Sequence, residues 1–349
     1  MVEKNDLNYL SASRVKTLDS CSWLYWCNYH LKMPQSTNSG ALRGTICHLI
    51  LELLLKKRHK KHYTAILEGG HINVSAPVDK VVRKFLKKHD MLEPAEGEQL
   101  LFDEPHYELC SNMIIVGLKH DFFGEGGNYP RSEYEFKIEN ENPKYNIRGF
   151  IDKTIAFPEQ GKLKIIDYKT SKSKFQGKDL ETNVQAMMYS LVATKLWPEL
   201  KPVVSFMFLK FPRQPFQELE FNEYVLKGFE KHLESINKEI NTFSEEKATS
   251  NFAADKPKPA KGFGGSLMCG FAQYPGQLKK NGLPMWHCPY KFAYDYYASI
   301  EEETGKVVKT SFENDLEEKD GHQIKKLQYD GCPRHSKRGQ SREFDEFLD

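Results

Sequence analysis

Apolar positions along the chain change their period twice. Residues 41–58, ALRGTICHLILELLLKKR, are rich in Leu and Ile and predict a strong helix, and a basic run, KKRHKKH, follows at 56–62. From there to about Gly127 the pattern is helical and loop-like, with VDKVVRKFLKKH (78–89) an amphipathic helix. Strand-like runs then take over. Residues 132–138 (SEYEFKI), 147–157 and 163–170 read as three successive strands. Residues 181–197 read as a helix ended by Pro198, residues 203–210 as a buried strand, and residues 222–242 as a long helix. This order predicts an α/β fold, a mixed sheet flanked by helices, and excludes a repeat protein. Small, charged, Pro and Gly residues at 244–266 read as a linker, 267–335 as a Cys- and aromatic-bearing region, and 336–349 as a disordered tail.

Composition adds bounds. A chain of 349 residues, 39% hydrophobic and 28% charged, is globular, with room for one large domain with extensions or for two ordinary ones. Its net charge of +2 is too small to argue for nucleic acid, so any such case rests on local clusters. The first twenty residues lack the apolar core of a signal peptide, and no apolar run reaches the roughly 18 residues of a membrane span. A cytoplasmic chain without membrane contact is expected. Seven cysteines in such a chain point to thiols or metal ligands rather than a disulfide framework.

Candidate chemistry enters at GFIDKTIAFPEQGKLKIIDYKTSKSK, residues 149–174. Read as a hairpin turning at PEQG, the segment pairs residues whose numbers sum to 319, which sets Asp152 opposite Asp167. Directly opposed Cβ atoms are about 4.5–5.5 Å apart. Alternation puts Lys169 on the same face, with Ile151, Ile155, Ile166 and Tyr168 on the other. Two carboxylates so placed repel unless a cation neutralises them, and a divalent ion suits them. A surface hairpin with scattered charges is the alternative reading of this segment alone.

The surrounding motifs decide between these. GFID (149–152) has an Asp three positions after Gly, DYK (167–169) an acid-x-Lys, QAMMY (185–189) a Gln-x-x-x-Tyr, and RGTICHLILE (43–52) a Gly-x-x-x-His followed by Glu. With all four in order, the sequence resembles the PD-(D/E)XK nuclease superfamily, specifically its RecB-like exonuclease branch, which includes CRISPR-associated RecB-like and phage exonucleases. The resemblance implies a restriction-endonuclease-like core over 41–243, with a helical insertion at about 59–130 and a Cys-bearing C-terminal extension. It implies His48, Asp152, Asp167 and the Tyr168 carbonyl as ligands of Mg²⁺ or Mn²⁺. Lys169 would position the attacking water, and Gln185 and Tyr189 would organise the lysine.

Supporting roles are open. His48 also reads as a hydrogen-bonded core histidine, and Glu52 as a structural carboxylate paired with a basic neighbour. Glu135, like Glu133, reads either as support for the site or as part of a solvated strand face. Arg43, Arg148, and Lys56, Lys57 and Arg58 of the basic run are candidate phosphate contacts, with a solvated helix end the alternative for the run.

Several nucleases of this branch join their two ends through an iron–sulfur cluster, with one cysteine before the first helix and three after the last. Cys21, Cys269, Cys288 and Cys332 match that arrangement, but gaps of 18 and 43 residues separate the last three, where the family has them close together. A Zn²⁺ site that includes His287 or His335, and unliganded thiols, are the alternatives. The function expected is metal-dependent DNA hydrolysis, from DNA ends, in recombination, repair or phage DNA metabolism. The alternatives are an inactive DNA-binding or scaffold relative and a metal-cluster interaction protein. No P-loop is present, so unwinding would come from a helicase or recombination partner.

Overall fold

The computed structural model describes residues 9–35, 38–89, 104–139, 144–256 and 268–336. The strands are β1 (Tyr9–Leu10), β2 (Arg131–Ile138), β3 (Asn146–Phe157), β4 (Lys162–Lys169), β5 (Lys201–Phe208), β6 (Phe216–Leu219), β7 (Tyr294–Glu301), β8 (Val307–Ser311) and β9 (His322–Tyr329). The α-helices are α1 (Ala12–Ser20), α2 (Ser22–Tyr25), α3 (Ser39–Leu55), α4 (Lys60–Gly69), α5 (Ala76–His89), α6 (Glu104–Lys119), α7 (Lys178–Glu181), α8 (Val184–Leu196), α9 (Glu223–Asn241) and α10 (Glu245–Ala248). Two compact units result. Among the described residues the first holds 9–12, 38–89, 104–139 and 144–238, and the second holds 13–35, 239–256 and 268–336.

The first unit is built on a six-stranded mixed sheet. β3 pairs antiparallel with β2 and β4 and parallel with β1, β4 runs parallel to β5, and β6 closes antiparallel on β5. Every β3–β4 pair, from Phe157↔Lys162 to Lys153↔Ile166, keeps the 319 sum. Helix α3 starts at Asn38, whose side chain accepts the Ala41 N–H at 2.9 Å and so satisfies an otherwise orphaned amide. It is apolar nearly all round because it is covered on several sides. Ile46, Ile50, Leu51 and Leu54 share one core with Met113 and Ile114 of α6, Val82 and Leu86 of α5, and Ile155, Ile166, Tyr168 and Met207 of the sheet. The region read as an insertion thus contributes α6 directly to this core. Residues 90–103 of it lie outside the described residues.

The second unit has a three-stranded antiparallel sheet in the order β8–β7–β9. Its core joins Trp23, Cys27 and Met33 to Ala248, Tyr290, Tyr329 and Cys332. Trp23 Nε1 donates to the Tyr329 hydroxyl at 2.7 Å. Residues 244–256 of the expected linker are packed here instead, because Ala248 and Ala253 are apolar enough to be buried and Phe252 covers the same cluster. Residues 257–267 and 337–349 lie outside the described residues. Among the described residues no helix is long and apolar enough to cross a membrane.

Candidate active site

The β3–β4 ladder runs to Lys153↔Ile166, one pair short of the two acids. Beyond it, the Asp152 carboxylate accepts the Tyr168 N–H through Oδ2 at 2.7 Å. Its other oxygen lies 3.2 Å from His48 Nδ1 on α3. Asp152 therefore ties β4 to α3 with one side chain. The Tyr168 ring is buried, edge-on to the His48 ring at 6.0 Å.

Asp167 is almost fully buried, with Oδ2 2.6 Å from Lys169 Nζ. Gln185, from α8, completes the group. Its carbonyl accepts from Lys169 at 2.7 Å, while its amide donates to Asp167 and to the Tyr189 hydroxyl, each at 2.8 Å. Tyr189 donates onward to the Phe150 carbonyl at 2.9 Å. Residues 185 and 189 share a helix face by i, i+4 spacing. Asn183 starts that helix by accepting the Ala186 N–H, which fixes where the face begins.

Burial pushes the Asp167 carboxyl above its ordinary range, with the Lys169 ammonium opposing and Asp152 adding to the shift. For His48, burial works against the charged ring, but the hydrogen bond and charge of Asp152, with the charge of Asp167, prevail and raise its pKa above 6.5. The His48 ring and the Lys169 amine thus lie against the carboxylates of Asp152 and Asp167.

Glu133 joins them. His48, Glu133 and Asp152 each offer a ligand atom within 4.8 Å of the others. Burial and the charges of Asp152 and Glu52 raise the Glu133 carboxyl above its usual pKa. Its backbone has φ 46°, a left-handed conformation rare for a non-glycine residue and frequent at functional sites. Both acids of this strand are exposed, but Glu135 lies opposite Phe150 and outside the group. Strand alternation alone could not separate the two, because φ at Glu133 cannot be read from side-chain periodicity.

Gly149 supports the group from behind. A Cβ there would lie 2.6 Å from the Phe136 ring, which stands edge-on to Tyr189. Glu52 pairs with Lys56 at 2.7 Å, its structural reading. Lys57 lies 4.8 Å from the centre of the Tyr129 ring, and Arg58 Nε is 3.1 Å from His59 Nε2. Arg148 is exposed, 5.8 Å from the Tyr9 ring centre. Arg43 is different: it is buried, and its Nε finds no hydrogen-bond partner among the described residues. The charges of Arg43 and Lys172 add to burial in lowering the Lys210 pKa, so three cations lie close to one another.

In the second unit Cys21, Cys269, Cys288 and Cys332 line one small cavity with His335. Burial, reinforced by the neighbouring thiols, pushes Cys288 up to about 11 and Cys332 up to about 12. No three of these sulfurs lie within 4.8 Å of one another. Sulfurs around one zinc would be about 3.8 Å apart, given its bonds of about 2.3 Å. His287 is not among the residues lining the cavity. Cys27 is buried in the same unit, and Cys47 and Cys110 meet in the core of the first.

The family model of the PD-(D/E)XK nuclease superfamily matches residues 9–271. Among solved structures, the crystal structure of a "Putative exonuclease" from Eubacterium rectale is similar at 10% identity and a TM-score of 0.44, covering 73% of this chain and 90% of that one. Protein VC1899 from Vibrio cholerae is similar at 12% identity and a TM-score of 0.21, covering 66% and 58%. No curated protein matched the chain. With its mixed sheet, flanking helices and a family match spanning most of its length, the chain belongs to the PD-(D/E)XK nuclease superfamily.

Proposed function

We propose that this protein is a deoxyribonuclease dependent on Mg²⁺ or Mn²⁺ that degrades DNA from its ends. The observation that supports this best is the convergence of Asp152, Asp167, Lys169 and His48 where β3 and β4 part. The donor set fits a hard or borderline divalent ion: carboxylates of Asp152 and Glu133 with one imidazole, His48, that favours Mn²⁺ over Mg²⁺, and the Asp167 carboxylate on the neighbouring strand beside Lys169. Such an ion, when bound, would neutralise the carboxylates, acidify a water and polarise a phosphate.

The chain's own groups supply the rest. Lys169, held between Asp167 and Gln185, presents its ammonium to the attacking water and to charge developing on the phosphate. Gln185 fixes the lysine and the acid in one orientation, and Tyr189 fixes Gln185. Arg43, with Lys210 and Lys172, is suited to a backbone phosphate, whose oxygens would satisfy the buried guanidinium. A non-catalytic scaffold would have no use for the aligned acids, lysine and glutamine. The four cysteines that line one cavity with His335 motivate an iron–sulfur cluster as the proposed occupant, with Zn²⁺ and unliganded thiols the alternatives. Recombination, repair or phage DNA metabolism is the setting proposed, with unwinding left to a helicase partner.

The test is incubation with linear and circular DNA, single- and double-stranded, in Mg²⁺, Mn²⁺ or EDTA, beside Asp167→Ala. Linear DNA should be degraded and circular DNA spared, with activity lost in EDTA and reduced at least about 100-fold in the variant. Equal activity in both proteins would reject the assignment.

A further inference from the structure

Cys269 and Cys288 bracket a loop of the second unit that the cavity does not account for. Gly270 bridges His287 and Leu278 bridges Pro284 in antiparallel fashion. Phe271 N donates to Trp286 O at 3.0 Å, Met285 N to Gln277 O at 2.8 Å, and Lys279 N to Leu283 O at 2.7 Å, closing the excursion like a hairpin. Its two legs touch at Gly270, where φ is +73° and a Cβ would lie 2.2 Å from the Trp286 carbonyl. Glycine there makes the closure possible.

This hairpin turns aromatic rings to solvent. Phe271, Tyr274 and Trp286 are 52%, 59% and 55% exposed, and Leu278 and Leu283 are exposed beside them. Single exposed apolar side chains need no explanation, but several on one short loop mark a binding surface. Charge identifies the occupant. The hairpin itself, residues 270–287, carries two lysines, Lys279 and Lys280, and no Asp or Glu. Lys279 and Lys280 are exposed at the hairpin tip, with the amides of Gln273 and Asn281 exposed alongside. Lysine is depleted at protein–protein contacts. Aromatic rings beside lysines, with no carboxylate near in sequence, instead suit unpaired bases that stack and phosphates that need cations. A duplex keeps its base faces covered and cannot use the rings.

We propose that the hairpin 270–287 is a stacking platform for single-stranded DNA. The proposal deepens the nuclease reading and rests on its supposition that DNA is the substrate. It is tested by fluorescence anisotropy on the full chain in EDTA, with a labelled oligothymidylate of about 20 nucleotides and a blunt duplex of equal length. The wild type should favour the single strand. Combining Phe271→Ala, Tyr274→Ala and Trp286→Ala should weaken single-strand binding about tenfold or more, with duplex binding unchanged. The aromatic exchanges Phe271→Trp and Trp286→Phe should retain affinity, which separates stacking from a folding defect. Lys279→Glu with Lys280→Glu should weaken binding and flatten its salt dependence. Unchanged single-strand affinity in the triple variant would overturn the proposal and give the surface to a protein partner. Since binding is read without metal or cleavage, it is independent of the outcome of the nuclease assay.

Discussion

Lys153 stands beside Asp152 in sequence yet points into the core, 1% exposed, between the rings of Phe122 and Tyr168. Its ammonium has one hydrogen bond, to the Phe122 carbonyl at 3.2 Å. Burial lowers its pKa to about 7, against an ordinary 10.5. The sign follows from linkage. Between these values the unfolded chain binds a proton that the folded chain does not, so stability is lost as pH falls from about 10 to 7. Lys153→Met, of similar length and without the charge, should therefore stabilise the protein at pH 7 by roughly 2–4 kcal/mol and flatten that pH dependence. Urea denaturation at several pH values measures both. Nothing in the sequence GFIDKT distinguishes this lysine from a solvated one, because alternation gives the face but not what covers it. Asp152, Asp167 and Lys169 could be set on one face from strand alternation, whereas Gln185 and Tyr189 were brought to them by the family resemblance, since helix spacing alone does not say which strand residues the helix faces. Glu133 was not, since its placement depends on a backbone angle.

At the scale of elements, the register of the β3–β4 hairpin was readable from the sequence, while the strand bounds shift by one residue at their ends. PEQG supplies the turn, and strict alternation on both arms leaves one register that buries the right face. The strands β7 to β9 were not readable: YDYYASIE carries aromatics on both faces, and its partner β9, HQIKKLQY, has Ile324 on one face and Leu327 and Tyr329 on the other, with no single apolar stripe. Residues 244–256 looked like a linker because composition cannot show that two alanines and a phenylalanine find a core. The contact of Gly149 with Phe136 carries a prediction. Gly149→Ala must push the Phe136 ring, and with it the ring of Tyr189 and its hydrogen bonds with Gln185 and the Phe150 carbonyl. Overpacking of this kind costs about 1–3 kcal/mol. Melting temperature should fall modestly, and cleavage should fall by about tenfold or more, a disproportion that thermal denaturation beside a nuclease assay would show.

For the whole molecule, the division into two units separates two chemistries: carboxylates and a lysine in one, four thiols in the other. Thiols held at raised pKa must lose protons to bind metal, so if the cavity holds the proposed cluster, its loading would release protons and add binding energy to folding. Protein purified without oxygen should be brown and carry about four irons per chain. Cys288→Ser should lose the iron and lower the melting temperature of the second unit. Colourless protein, or protein carrying one zinc, would reject the cluster. The make-up of that second unit also sets an order of events during synthesis. Residues 13–35 are synthesised about 200 residues ahead of those they are buried with, which begin at 239. At about 5–20 residues per second, Trp23 and Cys27 wait some tens of seconds for Tyr290, Tyr329 and Cys332. A nascent chain stalled anywhere in that interval leaves Trp23 and Cys27 without the residues that bury them, a long-range dependence built into the second unit.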